Sequence, residues 1–265
     1  MDRLTFATYL APNVLPVYEA VVEAVDQRLG ISTDLVVETS YESCRRDVYE
    51  ACFVCSLPYL TFEREGIAPA VPVAAPVLAG ARYGGRPIYF SDVIVARDAP
   101  FRSFADLEGR SWAYNEPLSW SGYGITRYHL VAMGRTDRFF GEVVEAGFHE
   151  ESIRLVAKGE VDASAIDSQV LAVAMRDDPP LRSALRVVDS LGPSTIQPVA
   201  VSKRVPAEVR DGIREVLVTM ADDPAWRSRL DAGLVDRFMA VGSSDYDDIR
   251  RMLDATEATG FTVLR

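Results

Sequence analysis

Apolar residues along the chain follow two spacings, and these predict strands that alternate with helices. Residues 4–10 and 32–40 are short apolar runs of strand length. Between them, residues 14–29 carry apolar side chains near positions i, i+3, i+4 and i+7, which is the spacing of one helix face. A strand, a helix and a strand in this order predict a βαβ unit with parallel strands.

The same alternation continues to the end of the chain. Residues 67–81 are apolar but interrupted by prolines, so we expect them to cross the surface rather than to form a regular element. A further short strand is expected before them. The other predicted strands lie at 88–98, 112–114, 141–147 and 161–167, and the other helices at 122–133, 150–158, 206–221, 245–259 and from Ser168 onward.

The turn Ser119-Trp120-Ser121-Gly122 lies where a loop after a strand enters a helix. The first N–H groups of a helix have no partner within it, and the helix dipole places about half a positive charge there. With two hydroxyl donors added, such a turn is suited to hold an oxyanion. The alternative is a surface loop in which Ser121 is only the N-cap.

Composition and charge restrict the class of protein. The chain has 265 residues, 48% hydrophobic and 25% charged, which predicts a globular protein of two lobes. The formal net charge of −11 argues against a nucleic-acid partner, because phosphate backbones are bound by basic faces. A small anionic ligand stays possible, since a few local donors are enough to hold it. No apolar run reaches 18 residues, so we expect no membrane insertion.

Five segments in order resemble the phosphate, phosphite and phosphonate substrate-binding proteins of ABC transporters. The resemblance extends over roughly the whole chain. The segments are GGRPIYFSDVIVARD (84–98), SFADLEGRSWAY (103–114), the turn SWSG (119–122), GFHEESIRLVAKGEVDASAID (147–167) and RVVDSLGPSTIQPVAVSK (186–203).

This resemblance implies an α/β fold of the type II periplasmic-binding-protein class. Each of two lobes would be a mostly parallel sheet flanked by helices, with the ligand cleft between the lobes. Lobe one would comprise residues 1–95 and 196–265, and lobe two residues 96–195. The implied function is the capture of a small oxyanion, phosphonate-like, phosphate-like or a related organic anion, for ABC-type transport or sensing. We expect a monomer without a cofactor, and an ABC transporter permease as its partner.

The resemblance also implies a set of ligand-binding residues. His149 matches the family's ligand-contacting histidine and Tyr89 its hinge-strand aromatic, whereas the alternatives are an N-cap or surface ring for His149 and ordinary core for Tyr89. Asp167 could bind the ligand, orient His149 or cap the following helix. The candidate residues are Tyr9, Tyr89, Ser119, Trp120, Ser121, Gly122, His149, Asp167 and Gln197.

Two positions depart from the family pattern. Trp120 replaces the middle hydroxyl residue of the turn. With Tyr9, Tyr89 and Tyr123 it could form an aromatic wall for an organic substituent, or it could point into the core of the second lobe. Gln197 stands where an acidic residue would face a ligand ammonium group.

An enzyme on the same scaffold is the alternative function, as in the menaquinone-pathway dehydratases and pyrimidine-synthesising proteins. Against it, the sequence offers no set of nucleophile, base and orienting group. We expect a periplasmic or other extracytoplasmic location if a signal peptide was removed, and a cytoplasmic one otherwise. The cysteines Cys44, Cys52 and Cys55 are odd in number. We expect buried thiols rather than a metal or redox site.

Overall fold

The computed structural model describes residues 3–67 and 70–265 as two compact α/β units. The first unit comprises residues 1–88 and 195–247, and the second comprises residues 89–194 and 248–265. The sequence places the divisions near 95 and 195 and assigns the whole C-terminal segment to the first lobe. In the structure the last helix and the residues after it belong with the second unit.

The strands, in chain order, are β1 Arg3–Thr8, β2 Ser32–Val37, β3 Ala51–Phe53, β4 Ala70–Leu78, β5 Ile88–Ala96, β6 Ser111–Tyr114, β7 Glu142–Glu145, β8 Ala163–Asp167, β9 Leu185–Thr195, β10 Val199–Ser202 and β11 Val235–Ala240.

The helices are α1 Leu15–Leu29, α2 Glu42–Arg45, α3 Ser56–Arg64, α4 Ile125–Ala132, α5 His149–Ala157, α6 Ser168–Asp177, α7 Pro179–Ala184, α8 Ala207–Thr219, α9 Pro224–Leu230 and α10 Asp247–Ala258. Short 3-10 turns separate several of them, and a π-helical turn, Trp120–Gly124, leads directly into α4. No helix in residues 3–67 and 70–265 is both long and apolar enough to cross a membrane.

The first unit is built on a six-stranded mixed sheet with the order β11-β4-β10-β3-β1-β2. Strand β1 runs parallel to β2 and to β3, which confirms the predicted βαβ unit. Strand β10 is antiparallel to both β3 and β4, and β11 is antiparallel to β4. The sheet is therefore less parallel than the sequence predicts, because the returning part of the chain adds its strands in the opposite direction.

The prediction of a surface crossing at residues 67–81 is wrong for most of that segment. Residues 68 and 69 lie outside the described residues, but β4 is a largely buried strand with β10 on one side and β11 on the other. Its prolines pair opposite Ala200 and Phe238, and the register of β4 shifts next to Ala200. Such irregular pairing allows a strand to include residues that lack the N–H donor.

The second unit contains a five-stranded sheet with the order β7-β6-β8-β5-β9. Strand β6 is parallel to β7 and β8, whereas β5 is antiparallel to β8. Phe104, Trp112, Phe139 and Phe140 form an aromatic core against β6, with 4.7 Å between the ring centres of Trp112 and Phe140. This packing fixes the strand whose carboxyl end leads toward the turn at Ser119.

Candidate anion-binding site

The turn at Ser119 begins a helix and places its serines inside the second unit. Ser119 is extended, and its Oγ accepts a hydrogen bond from the N–H of Gly122 at 3.1 Å. Its carbonyl accepts from the N–H of Gly124 at 2.9 Å, five residues on, which produces the wide π-helical turn. The N-cap is therefore Ser119 and not Ser121, and the helix begins at Trp120 rather than at the predicted Gly122. Both serines are buried, which excludes a surface loop.

Two positions of this turn must be glycine, because neighbouring side chains lie too close to leave room for a Cβ atom. A Cβ on Gly122 would lie 1.9 Å from Oδ1 of Asn115, the residue that follows β6. A Cβ on Gly124 would lie 2.5 Å from the indole ring of Trp120. Any side chain at either position would displace its neighbour, so the sequence Ser-Gly-Tyr-Gly lets the helix start pack directly against the end of β6.

Ser119, Ser121 and His149 form a buried hydrogen-bonded row. The Oγ of Ser121 is 3.0 Å from Nε2 of His149 and 3.4 Å from Oγ of Ser119. His149 is the first residue of α5 and is itself buried. We call these three residues together with Gly122 the cradle. The structure therefore brings together three of the candidate residues, Ser119, Ser121 and His149.

The imidazole of His149 is neutral at pH 7. Burial lowers its pKa from 6.5 to about 4, because the surroundings disfavour the charged ring. Its Nδ1 has no hydrogen-bond partner among the described residues, and the same holds for Oδ1 of Asn115. The cradle thus offers hydroxyls, a neutral imidazole and the first N–H groups of a helix, which are suited to hydrogen-bond a charged oxygen.

Asp167 is held as a helix cap. Its Oδ1 accepts from the N–H of Gln169 at 2.8 Å and of Val170 at 3.4 Å, at the start of α6. Of the alternatives for this residue, the geometry supports capping. Tyr89, near the start of β5, is buried with 1% of its surface exposed.

Trp120 has no exposed surface, and its indole N–H donates to Oγ of Ser194 at 2.8 Å. The indole therefore joins the start of the helix to the end of β9 within the second unit. This supports the alternative that Trp120 packs into the core, while a wall facing the ligand stays a prediction.

Tyr9 and Gln197 belong to the first unit. The Tyr9 hydroxyl lies 2.7 Å from Oγ of Ser43, and its ring stacks on Tyr41 with 5.0 Å between ring centres. Burial raises the pKa of Tyr9 well above its ordinary value, so its hydroxyl stays protonated. Gln197 is buried in the crossover between β9 and β10. Their contact with a ligand stays a prediction.

Asn115 and Ser194 are neighbours of the cradle that the sequence did not reveal. Asn115 stands immediately after β6, and a polar residue at the carboxyl end of a strand is the signal that could have identified it. Ser194 offers no such signal, because its role depends on where the Trp120 side chain points.

Known structures share the fold of this chain. A binding protein component of an ABC phosphonate transporter from Pseudomonas aeruginosa has a TM-score of 0.84 and 17% identity, covering 98% of this chain and 88% of the other. A Prochlorococcus marinus protein in complex with methylphosphonate has a TM-score of 0.78 and 15% identity, covering 95% and 97%. A Xanthomonas citri protein bound to chloride has a TM-score of 0.72 and 19% identity, covering 99% and 100%.

The sequence profile of one family matches residues 4–246, which is nearly the whole chain. The description of that family is "ABC transporter, phosphonate, periplasmic substrate-binding protein". It is a family of transporter binding proteins and not of enzymes, so the enzyme alternative has no support. The chain belongs to the family of phosphonate substrate-binding proteins of ABC transporters.

Proposed function

We propose that the cradle binds the phosphonate group of a small organophosphonate, which the protein presents to an ABC transporter permease. The observation that carries this proposal is the buried row of Ser119, Ser121 and His149 at the start of a helix. Buried polar groups of this kind are costly unless they are paired, so an arrangement with open hydrogen-bonding capacity is typical of a ligand site.

A chain of hydrogen bonds would lead from His149 through the Ser121 hydroxyl to the ligand. Since His149 is neutral, one ring nitrogen carries a hydrogen and the other does not. With the hydrogen on Nε2, the imidazole donates to Ser121 Oγ, and the Ser121 hydroxyl is then available to donate to a phosphonate oxygen. The helix start adds a favourable field for the negative charge without a cationic side chain.

The methylphosphonate complex of the Prochlorococcus marinus protein gives a first ligand to test. The probe is therefore methylphosphonate, compared with phosphate and phosphite. The fit of larger phosphonates depends on residues outside the cradle, and the ratio of affinities between ligands is the measure of that preference.

The test is isothermal titration calorimetry on the wild type and on two serine variants. A hydrogen bond to a charged group contributes about 1.5–3 kcal/mol, so Ser121→Ala should weaken methylphosphonate binding by about 10- to 100-fold. Ser164→Ala is the matched control. That serine is also buried in the second unit, but its Oγ has no partner among the described residues. Equal affinity of Ser121→Ala and Ser164→Ala would remove Ser121 from the site.

We also infer that the protein is extracytoplasmic and that it is a monomer that binds its ligand without a cofactor. The location is supported by the family description, which is of periplasmic proteins. Fractionation of cells that express the native gene tests it, and sedimentation with and without methylphosphonate tests the monomer. A cytoplasmic pool only, or a dimer at micromolar concentration, would contradict these two inferences.

A further inference from the structure

Cys44 and Cys52 lie together in the first unit. Cys44 is in α2 and Cys52 is the middle residue of β3. Both thiols line one small cavity beside Tyr9, close enough for each to perturb the pKa of the other. Two thiols that line one small cavity are positioned to be joined by a disulfide.

The backbone on each side of the pair is firmly held. Cys52 pairs with Ala7 of β1 and with Ala200 of β10, in the interior of the sheet. The segment after Cys44 is tied down by Arg204, which forms ion pairs with Asp47 at 3.3 Å and Glu50 at 2.8 Å. The two thiols are therefore kept close by the fold itself.

The two thiols differ in exposure and in acidity. Cys44 is partly exposed, and the hydrogen bond from the Cys52 thiol lowers the pKa of Cys44. Cys52 is buried, and the hydrogen bond to Cys44 together with burial raises the pKa of Cys52. Cys44 is accordingly the thiolate that an external oxidant can reach first.

We propose that Cys44 and Cys52 form an intramolecular disulfide by exchange with a disulfide oxidant, which leaves Cys55 as a thiol. The Cys44 thiolate attacks one sulfur of the oxidant and expels the first oxidant thiolate, giving a mixed disulfide. The Cys52 thiol then loses its proton, attacks the Cys44 sulfur and expels the second oxidant thiolate. Two protein thiols are oxidised, and one disulfide is reduced to two thiols.

The new bond would connect α2 to the central sheet next to Tyr9. Ser43, which hydrogen-bonds the Tyr9 hydroxyl, is adjacent to Cys44 in α2. Oxidation therefore fixes the segment that orients Tyr9. It also accounts for the odd cysteine count, because two of the three cysteines form the disulfide and the buried Cys55 keeps its thiol.

Trypsin allows a direct test, because Arg45 and Arg46 separate Cys44 from the other two cysteines. The tryptic fragment 29–45 carries Cys44, and 47–64 carries both Cys52 and Cys55. The native protein is incubated with oxidised glutathione, unfolded in iodoacetamide, digested and measured by mass spectrometry, with a dithiothreitol-reduced sample as reference. We expect a 2 Da loss in the intact protein before alkylation, and after alkylation one modified cysteine and the two fragments joined.

Two variants identify the partners. Cys55→Ser should still join the fragments and leave no alkylated cysteine, whereas Cys44→Ser should leave the fragments separate. Three alkylated cysteines after oxidation would overturn the proposal. So would a bond within fragment 47–64 in the wild type, or loss of the joined fragments in Cys55→Ser.

Discussion

Acidification should lower the free energy of unfolding of the ligand-free protein, because the buried His149 ring is held in its neutral form. Its pKa is about 4 in the folded protein, against 6.5 for an ordinary histidine. The unfolded chain therefore binds more protons between these two values, and the stability contributed by the neutral ring is present above pH 6.5 and is lost as the pH falls toward 4. The full loss is about 3 kcal/mol, and at pH 5 it is about 2 kcal/mol.

Urea unfolding of the wild type and of His149→Gln at pH 7.5 and pH 5 measures this loss. Other titrating groups change the stability of both proteins equally, so the difference between them isolates His149. His129, whose pKa is also lowered by burial, is common to both and cancels. We expect the wild type to lose about 2 kcal/mol more than the variant on this change. An equal loss in the two proteins would refute the neutral, desolvated imidazole.

Three single variants, one of them also with a second substitution, test Gly122 of the cradle and the residues around it. Trp120→Thr should lower the free energy of unfolding in urea by about 3–5 kcal/mol, because the indole fills the core and donates to Ser194. The order of the phosphonate and phosphate affinities measured by calorimetry should stay the same. A changed order would instead place Trp120 at the ligand. Gly122→Ala should lower both the free energy of unfolding and the methylphosphonate affinity, since its Cβ would lie 1.9 Å from Asn115 Oδ1. Adding Asn115→Ala to that variant should recover part of both losses. A Gly122→Ala variant with unchanged stability and affinity would contradict the close approach. Asp167→Ala should cost about 1 kcal/mol of unfolding free energy through the lost cap, with unchanged affinity; a large loss of affinity would show that Asp167 binds the ligand.

Much of the cradle could be predicted from the sequence because its geometry is local. Ser119, Ser121 and His149 lie at helix starts, which the sequence pattern predicts. The connection of these elements follows from the five segments that match the family in the same order along the chain. The fold class and the family followed from the same segments, and both are confirmed.

The remainder depends on tertiary contacts that no local pattern encodes. The direction of the Trp120 indole is set by Ser194, which lies far along the chain on β9. The burial of β4 is set by β10 and β11, which tolerate its prolines through shifted pairing. The alternative of an N-cap at Ser121 fails, and the helix begins two residues before the predicted Gly122, because a π-helical turn cannot be recognised from hydrophobic spacing.

A crystal structure of the protein grown with methylphosphonate tests the central claim most directly. The account predicts phosphonate oxygens at about 2.7–3.2 Å from Oγ of Ser119, Oγ of Ser121 and the N–H groups at the start of the π-helical turn. Methylphosphonate bound elsewhere, with Ser119, Ser121 and His149 hydrogen-bonded only to one another and to the protein, would contradict it.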